Sequence, residues 1–182
     1  MSVTIATLQK YIKPASVFTD DFQAYSVGNL NGQGSWVAGI NNLQIADFSG
    51  DKRAYSTNTT TIRLVYVDLT FPNDQYAKLT VDTTINTNSF IGPAVRCSVN
   101  NCYGVIVSSN WVGVHKIISG ADTELDGNSA TIVAGDVIEL RITGNTLRVI
   151  RNGSPISGIG DGNGDLASGS ELSSGKTGIL AY

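Results

Sequence analysis

Two acidic residues, Glu124 and Asp126, lie two positions apart in the segment GADTELDGNSA. Alternate residues of a β-strand share one face, so this spacing would bring two carboxyl groups together, as glycoside hydrolysis requires. The same segment also reads as a polar hairpin loop, because it is rich in glycine, aspartate and asparagine. The only histidine, His115, lies in WVGVHKII, and a lone strand histidine is more often a structural residue than a general base.

Oxygen ligands at alternate positions make the loop DGNGD a candidate calcium site. Asp161, Asn163 and Asp165 would supply the oxygens, with glycines between them. The alternative is a glycine-rich turn whose acids stay hydrated. The acids at 122, 124 and 126 repeat the spacing before Gly127, but neither segment completes a twelve-residue calcium loop. Structural calcium at 161–165 is the only cofactor that we predict, since two cysteines and one histidine are too few for a usual zinc site.

The two cysteines, Cys97 and Cys102, flank a predicted hairpin turn at Asn100-Asn101. A four-residue loop would place the sulfur atoms opposite each other and allow a disulfide, whereas a two-residue turn at that position would put them out of register. The alternative is a pair of buried free thiols, which pack as small apolar side chains. Both interpretations stay open at this point.

Sugar binding would use an exposed aromatic side chain with amide or carboxyl groups beside it. We predict a carbohydrate site formed by Trp111, Tyr103 and Asn110, because Trp111 follows a turn at Ser108-Ser109-Asn110. Further candidates are Tyr55, Asn100 and Asn101. Each aromatic residue also has an alternative role in the core of the domain.

Short segments with alternating apolar and polar residues predict many β-strands and no long helix. In QYAKLTVDT and DVIELRIT, one side of the chain is apolar and the other is polar, which is typical of antiparallel strands with one buried face. Asn152-Gly153 predicts a tight hairpin turn. The predicted strands are 43–48, 54–57, 62–69, 76–83, 90–98, 102–108, 112–118, 137–143, 146–151 and 177–182. Residues 1–16 are predicted to form an N-terminal arm, ended by Lys13-Pro14.

Composition narrows the range of partners. The net charge of −3 provides no basic field for nucleic acid or anionic lipid. No apolar run approaches the roughly 18 residues that a membrane-spanning helix needs. The first residues lack the pattern of a signal peptide, so we expect a location in a virion or otherwise in the cytoplasm.

The later hairpins resemble a known group of domains. The segments IGPAVRCSVNNCYGVIV, WVGVHKIISGADTEL, AGDVIELRITGNTLRVIRNGSPI and SGKTGILAY look like consecutive hairpins of concanavalin A-like lectin and glucanase domains, related to laminin G and laminarinase modules. VFTDDFQAYSVGNLNGQGSWV is similar to their first strand, with Phe22 and Trp36 in the core. The resemblance implies an all-β, two-sheet antiparallel jelly-roll sandwich over residues 17–182.

Two departures from that group shape the functional prediction. Laminarinase-type relatives carry E-x-D-x-x-E, whereas Ser129 stands here at the third acidic position, so we predict no catalytic residues and no enzyme activity. Relatives also have a strand after SGxxGI that returns to the first strand. Its absence implies an exposed sheet edge, to which residues 1–12 of this chain or of a neighbour would bind.

These features favour a structural protein of a virus-like particle, such as a phage decoration or tail-associated protein. It would form homo-oligomers, or contacts with other virion proteins, through the arm and the sheet edge. The alternatives are a carbohydrate-binding module, with a glycan as partner, and a glycoside hydrolase.

Overall fold

The computed structural model describes residues 18–56, 60–81, 90–161 and 164–182, which form β-strands and no helix. The predicted arm at 1–16 lies outside the described residues. The strands are β1 Gly28–Asn29, β2 Trp36–Ile40, β3 Gln44–Phe48, β4 Asp51–Tyr55, β5 Arg63–Val67, β6 Gln75–Thr80, β7 Ile91–Ser98, β8 Asn101–Val107, β9 Trp111–Ile118, β10 Ala121–Ser129, β11 Val137–Thr143, β12 Thr146–Arg151, β13 Ser154–Pro155, β14 Asp165–Ala167 and β15 Lys176–Ala181. None of the described segments is a helix that could span a lipid bilayer.

The strands form one large sheet and two smaller ones. The seven-stranded sheet has the order β10-β9-β8-β7-β15-β5-β2. A second sheet contains β13, β12, β11 and β6, with β14 paired to β12, and a third has the order β1-β3-β4. All strand pairs are antiparallel. The prediction of an all-β antiparallel sandwich is confirmed.

Alternating side chains build the main core between the seven-stranded sheet and the β11 sheet. Ile138, Leu140 and Ile142 of β11 are fully buried, whereas the residues between them are more exposed, which confirms the predicted alternation. They pack against Val112 and Val114 of β9. A second cluster includes Trp36, whose ring contacts the predicted core residue Phe22 at 5.8 Å between centroids. These contacts define the inner face of the large sheet. The alternate side chains of its strands therefore lie on the opposite, outer face.

One sequence-based expectation about the large sheet is corrected. The segment predicted as a polar hairpin loop is the nine-residue strand β10, because its backbone pairs with β9 from Ala121 to Ser129. Its polar side chains suit an edge position, where one side of the strand faces solvent. The last predicted strand forms β15, which lies inside the sheet between β7 and β5. The predicted binding of residues 1–12 to an exposed sheet edge stays a prediction, since those residues lie outside the described ones. The edges of this sheet are β10 and β2.

The buried carboxylate of Asp136 connects the two-stranded β11–β12 hairpin with the turn that precedes β11. Asp136, which is 4% exposed, accepts hydrogen bonds from the Val133 backbone N–H at 2.8 Å and from Asn152 Nδ2 at 2.7 Å. Arg151 lies 2.7 Å from the same carboxylate. Asn152 and Gly153 have positive φ angles of 50° and 84°, which confirms the predicted tight turn.

Acid is expected to weaken the contacts that the Asp136 carboxylate makes. Burial opposes ionisation of Asp136, but hydrogen bonds from Val133 and Arg151 outweigh it and hold the pKa of the carboxyl below its ordinary value of 3.8. The stabilisation is therefore present at neutral pH and is lost as the pH falls below the ordinary pKa. Asp136→Asn is expected to lower the free energy of unfolding by about 1.5–3 kcal/mol at neutral pH, from the weakened hydrogen bonds to the charged group.

Urea unfolding at neutral pH and in acid measures the effect of Asp136. The difference between the wild type and Asp136→Asn should shrink as the pH is lowered, because the wild-type carboxyl then also becomes neutral. Asp47→Asn, at an exposed position of β3, serves as the control. A difference that stays constant between neutral pH and strong acid would contradict the linkage.

Candidate functional site

Two paired glycines create a depression on the outer face of the seven-stranded sheet. Gly113 of β9 lies opposite Gly127 of β10. A β-carbon on Gly127 would collide with the Trp111 ring and would lie 2.5 Å from Glu124 Oε1. A β-carbon on Gly113 would lie 2.8 Å from His115 Nε2 and 3.1 Å from Trp111 Nε1. The missing β-carbons therefore allow the indole, the imidazole and the carboxylate to lie close over the sheet.

A pocket of about 300 Å³ opens beside these glycines. Its size is at the lower end of the range for small-molecule sites. We call it the Trp111 pocket and define it by Phe90, Asn110, Trp111, His115, Glu124 and Tyr182. Strand alternation brings these side chains together, because Trp111, Gly113 and His115 share one face of β9. Glu124 of β10 is the cross-strand partner of His115.

Behind the pocket, a chain of hydrogen bonds fixes the imidazole. His115 Nδ1 lies 3.0 Å from Asp122 Oδ1 and 3.1 Å from Oδ2. The Tyr182 hydroxyl donates to the same carboxylate. Burial opposes ionisation of Asp122, but the hydrogen bonds from His115 and Tyr182 outweigh it and lower its pKa. Burial and the neighbouring Asp122 raise the pKa of Tyr182. Asp122 is thus an ionised carboxylate that accepts two hydrogen bonds, one from the imidazole and one from the Tyr182 hydroxyl.

The other imidazole nitrogen has no partner among the described residues. His115 is 6% exposed, and its Nε2 is buried without a hydrogen bond. Since an ionised carboxylate only accepts, Nδ1 of the neutral ring carries the proton and Nε2 carries a lone pair. A buried acceptor without a donor costs about 1–3 kcal/mol. A ligand that donates a hydrogen bond to this nitrogen would recover that cost.

The acidic pair that the sequence suggested does not share a face. The register with β9 shifts between Glu124 and Asp126, so that Glu124 pairs with His115 and Asp126 with Val114. Leu125 is the extra residue of this bulge and packs against the main core. Asp126 accepts hydrogen bonds from the Gly160 backbone N–H at 2.5 Å and from the Gly127 N–H at 2.7 Å. Of the two carboxylates, only that of Glu124 lines the pocket.

The structure brings together two of the three predicted carbohydrate-site residues. Trp111 and Asn110 line the pocket, but Tyr103 is fully buried in the main core. Its role as a platform is corrected, because alternation along β8 turns it to the inner face of the sheet. Its hydroxyl instead accepts a hydrogen bond from the Leu172 backbone N–H at 3.4 Å. The further candidate Tyr55 lies on β4, in another sheet.

The predicted calcium loop is only partly described. Asp165 begins β14, and Arg148 donates to both of its carboxylate oxygens, through Nε at 2.5 Å and through Nη2. The Asp165 backbone N–H donates to Asp161 Oδ1 at 3.3 Å, and Asn163 lies outside the described residues. Over the described ranges, no group of three acidic, histidine or cysteine side chains is arranged to hold a metal ion. Calcium at 161–165 stays a prediction, and the ion would compete with Arg148 for Asp165.

Cys97 and Cys102 are free thiols, and both are fully buried. Ser98 pairs with Asn101, so the turn is the two-residue segment Val99-Asn100, one residue earlier than predicted. This shift leaves the two cysteines next to each other in spite of the short turn. Burial and a hydrogen bond with Cys102 raise the pKa of the Cys97 thiol well above its ordinary value. The structure therefore matches the free-thiol alternative and has no disulfide between them.

Most of the pocket is not evident from the sequence. His115 was interpreted as a structural residue, and Asp122 and Tyr182 were not connected with it. The pattern Trp111-x-Gly113-x-His115 was the available indication, because it places one aromatic ring and one imidazole on the same strand face around a glycine. Their partners are evident only from the strand β10 and from the place of β15 in the sheet order.

Known structures share the fold. A carbohydrate-binding module, CBM66 from Bacillus subtilis, aligns with a TM-score of 0.61 and 16% identity over 82% of this chain and 88% of that chain. The apo Crh5 transglycosylase aligns with a TM-score of 0.54 and 11% identity over 90% and 67%. A Bacteroides ovatus GH16 protein, solved with a mixed-linkage glucan product, gives a TM-score of 0.52 and 8% identity over 90% and 84%. No protein-family model matches the sequence, and no curated protein sequence is significantly similar.

These structures confirm the concanavalin A-like sandwich and correct the main functional prediction. The prediction of a phage or other virion structural protein is wrong, because the neighbours are a carbohydrate-binding module and carbohydrate-active enzymes. The virion location and virion partners have no support among them. Known proteins with this fold thus include a carbohydrate-binding module, and they also include carbohydrate-active enzymes.

Proposed function

We propose that this protein binds carbohydrate in the Trp111 pocket. The observation that carries the proposal is the arrangement over the paired glycines, where a half-buried indole lies beside an unpartnered imidazole nitrogen and a carboxylate. Sugar rings present C–H groups that pack on an aromatic face and hydroxyl groups that hydrogen-bond to nitrogen and oxygen atoms. One pocket here offers both kinds of contact.

The similar structures support the same proposal at the level of fold. The neighbour with the highest TM-score among those described is a carbohydrate-binding module, and two others are a transglycosylase and a glycoside hydrolase. Because one fold serves several activities, the argument rests on the side chains of the pocket, with the fold as context.

We also propose that the pocket binds its sugar without cleaving it. Hydrolysis uses two carboxyl groups on either side of the scissile bond. Glu124 lines the pocket, whereas Asp122 lies behind the imidazole and already accepts from His115 and Tyr182. Asp126 is turned away by the bulge in β10. Reducing ends should therefore not accumulate when the protein is incubated with glucans. If reducing ends accumulate with the wild type and do not accumulate with Glu124→Gln, this part of the proposal is overturned.

Affinity electrophoresis on a panel of polysaccharides tests the binding function. The gels contain mixed-linkage β-glucan, β-1,4-galactan, mannan, chitosan or polygalacturonate, and a matching gel contains no polysaccharide. Retardation in at least one gel is the expected result. If every polysaccharide leaves the mobility unchanged, and a wider glycan array is also negative, carbohydrate binding is refuted.

Filling the glycine depression is expected to weaken binding without unfolding the protein. The added methyl group of Gly127→Ala would push the Trp111 ring and the Glu124 carboxylate out of place. We expect at least about a tenfold loss of affinity, since about 1.4 kcal/mol of lost contact corresponds to that factor. Isothermal titration calorimetry measures the loss. Thr123→Ala on the same strand is the control and should keep the wild-type affinity, and full affinity in Gly127→Ala would contradict the proposed geometry.

A further inference from the structure

The aspartate and glutamate side chains at the Trp111 pocket are not balanced by a lysine or arginine of its described lining. Glu124 lines it, and Asp122 lies behind His115. Its described lining contains no lysine or arginine. Lys116 follows His115 in the chain, but alternation turns it to the other face of β9, where it pairs with Glu171 at 2.6 Å. A carboxylate or sulfate on a ligand would therefore enter a negative site without a compensating cation.

Two groups of the pocket, the Glu124 carboxylate and the His115 imidazole, present hydrogen-bond acceptors to a ligand. Glu124 accepts only, because it is a carboxylate. When the imidazole is neutral, Asp122 holds its proton on Nδ1, so that His115 Nε2 accepts as well. A sugar hydroxyl donates one hydrogen bond and suits such atoms, whereas a ligand carboxylate only accepts and has no proton for either of them.

The indole of Trp111 lies close to the buried nitrogen. Trp111 Nε1 and His115 Nε2 lie 3.1 Å and 2.8 Å from the same point over Gly113. The indole is only partly buried, and its ring lies at the wall of the pocket, whereas His115 is 6% exposed. A ligand hydroxyl would reach Nε2 only after the side chains around this atom, including the indole, move apart.

We propose that the Trp111 pocket selects uncharged sugars, whose hydroxyl groups donate to His115 Nε2 and Glu124, and that it excludes acidic sugars. This inference rests on the proposed carbohydrate binding and adds the class of ligand. Asp122 acts as a positioning residue, since it sets the proton position on His115 from behind the pocket, and the Tyr182 hydroxyl donates to its carboxylate.

Matched neutral and acidic ligands test the selection. Mixed-linkage β-glucan and β-1,4-galactan are each compared with the same polymer after oxidation of its C6 hydroxyl groups to carboxylates. We expect the acid form of the bound polymer to bind at least about tenfold more weakly, and Glu124→Gln to reduce that difference, because one of the two negative charges is removed.

The outcomes separate this inference from the proposed function. Binding of the acid form as tight as or tighter than that of the neutral form would overturn the selection and leave carbohydrate binding intact. Loss of all binding, neutral and acidic alike, would refute the proposed function itself.

The proton position on His115 is tested without any ligand. At about pH 8, ¹⁵N chemical shifts of the imidazole should show a protonated Nδ1 and a bare Nε2 in the wild type. In Asp122→Asn the amide can donate to Nδ1, so the proton should move to Nε2 and neutral-glycan affinity should fall at least about tenfold. Asp126→Asn, on the other side of the bulge, should change neither measurement. A proton on Nε2 in the wild type, or unchanged affinity in Asp122→Asn, would overturn the acceptor role.

Discussion

Replacing Arg96 by alanine is expected to lower the free energy of unfolding by about 3–5 kcal/mol, the largest effect on stability that we predict for a single substitution. Arg96 is 2% exposed, and its guanidinium donates to three backbone carbonyls. They belong to Asn73 at 3.2 Å, Gly144 at 2.6 Å and Leu172 at 2.7 Å. One side chain therefore joins three segments distant in sequence, and its removal leaves three carbonyls without their charged donor.

The backbone of Arg96 allows a sharper test of this explanation. Its φ of 51° lies in the left-handed region, at the irregularity in pairing between β7 and β8. This conformation costs a residue other than glycine about 1–2 kcal/mol. Arg96→Gly removes both the hydrogen bonds and this strain, so it should be less destabilised than Arg96→Ala by about 1 kcal/mol.

Chemical denaturation of both variants measures these differences. Arg141→Ala is the control, because Arg141 is exposed and should change stability by no more than about 0.5 kcal/mol. A loss below about 1 kcal/mol in Arg96→Ala would show that the carbonyl contacts contribute little. Equal stability of the alanine and glycine variants would show that the left-handed backbone is not strained.

Replacing Trp111 by alanine is expected to have the largest effect on binding. The indole is the aromatic surface beside the imidazole and the carboxylate, and removal of a central aromatic contact costs about 2 kcal/mol or more. That loss corresponds to at least about a thirtyfold decrease in affinity. Because the ring lies on the outer face of the sheet, apart from the main core, the fold should be retained.

An exposed aromatic residue on another sheet provides the control for Trp111→Ala. Tyr76 on β6 is 42% exposed, and Tyr76→Ala should keep wild-type affinity for the polysaccharide that the wild type binds. Calorimetry with that polysaccharide measures both variants, and circular dichroism confirms their folding. Wild-type affinity in Trp111→Ala would place the binding site elsewhere on the molecule.

Local pattern was sufficient to predict most strands. The segments with regular alternation, such as those of β6 and β11, have the predicted inner and outer faces, because one buried face imposes a period of two on the sequence. The strand β10 was missed, since an edge strand with nine mostly polar residues has no apolar alternation to detect. Its formation depends on backbone pairing with β9, which is not visible in its own residues.

The candidate site was predictable only in part, for a related reason. Trp111 and Asn110 were found because aromatic and amide side chains follow a turn there. Tyr103 was misplaced because its residue type suits both a sugar platform and a core, and only the orientation of β8 decides between them. The contact of Tyr182 with Asp122 joins residues 60 positions apart, so it requires the sheet order.

The position of β15 has a consequence for the order in which this domain can be assembled. Its two neighbours in the large sheet are β5 and β7, which come from much earlier parts of the chain. During translation both of these strands emerge before the strand that lies between them in the finished sheet. The halves of the sheet are joined only when residues 176–181 leave the ribosome. We expect the nascent chain to stay unfinished until then, and to depend on chaperones more than a domain built from sequential hairpins.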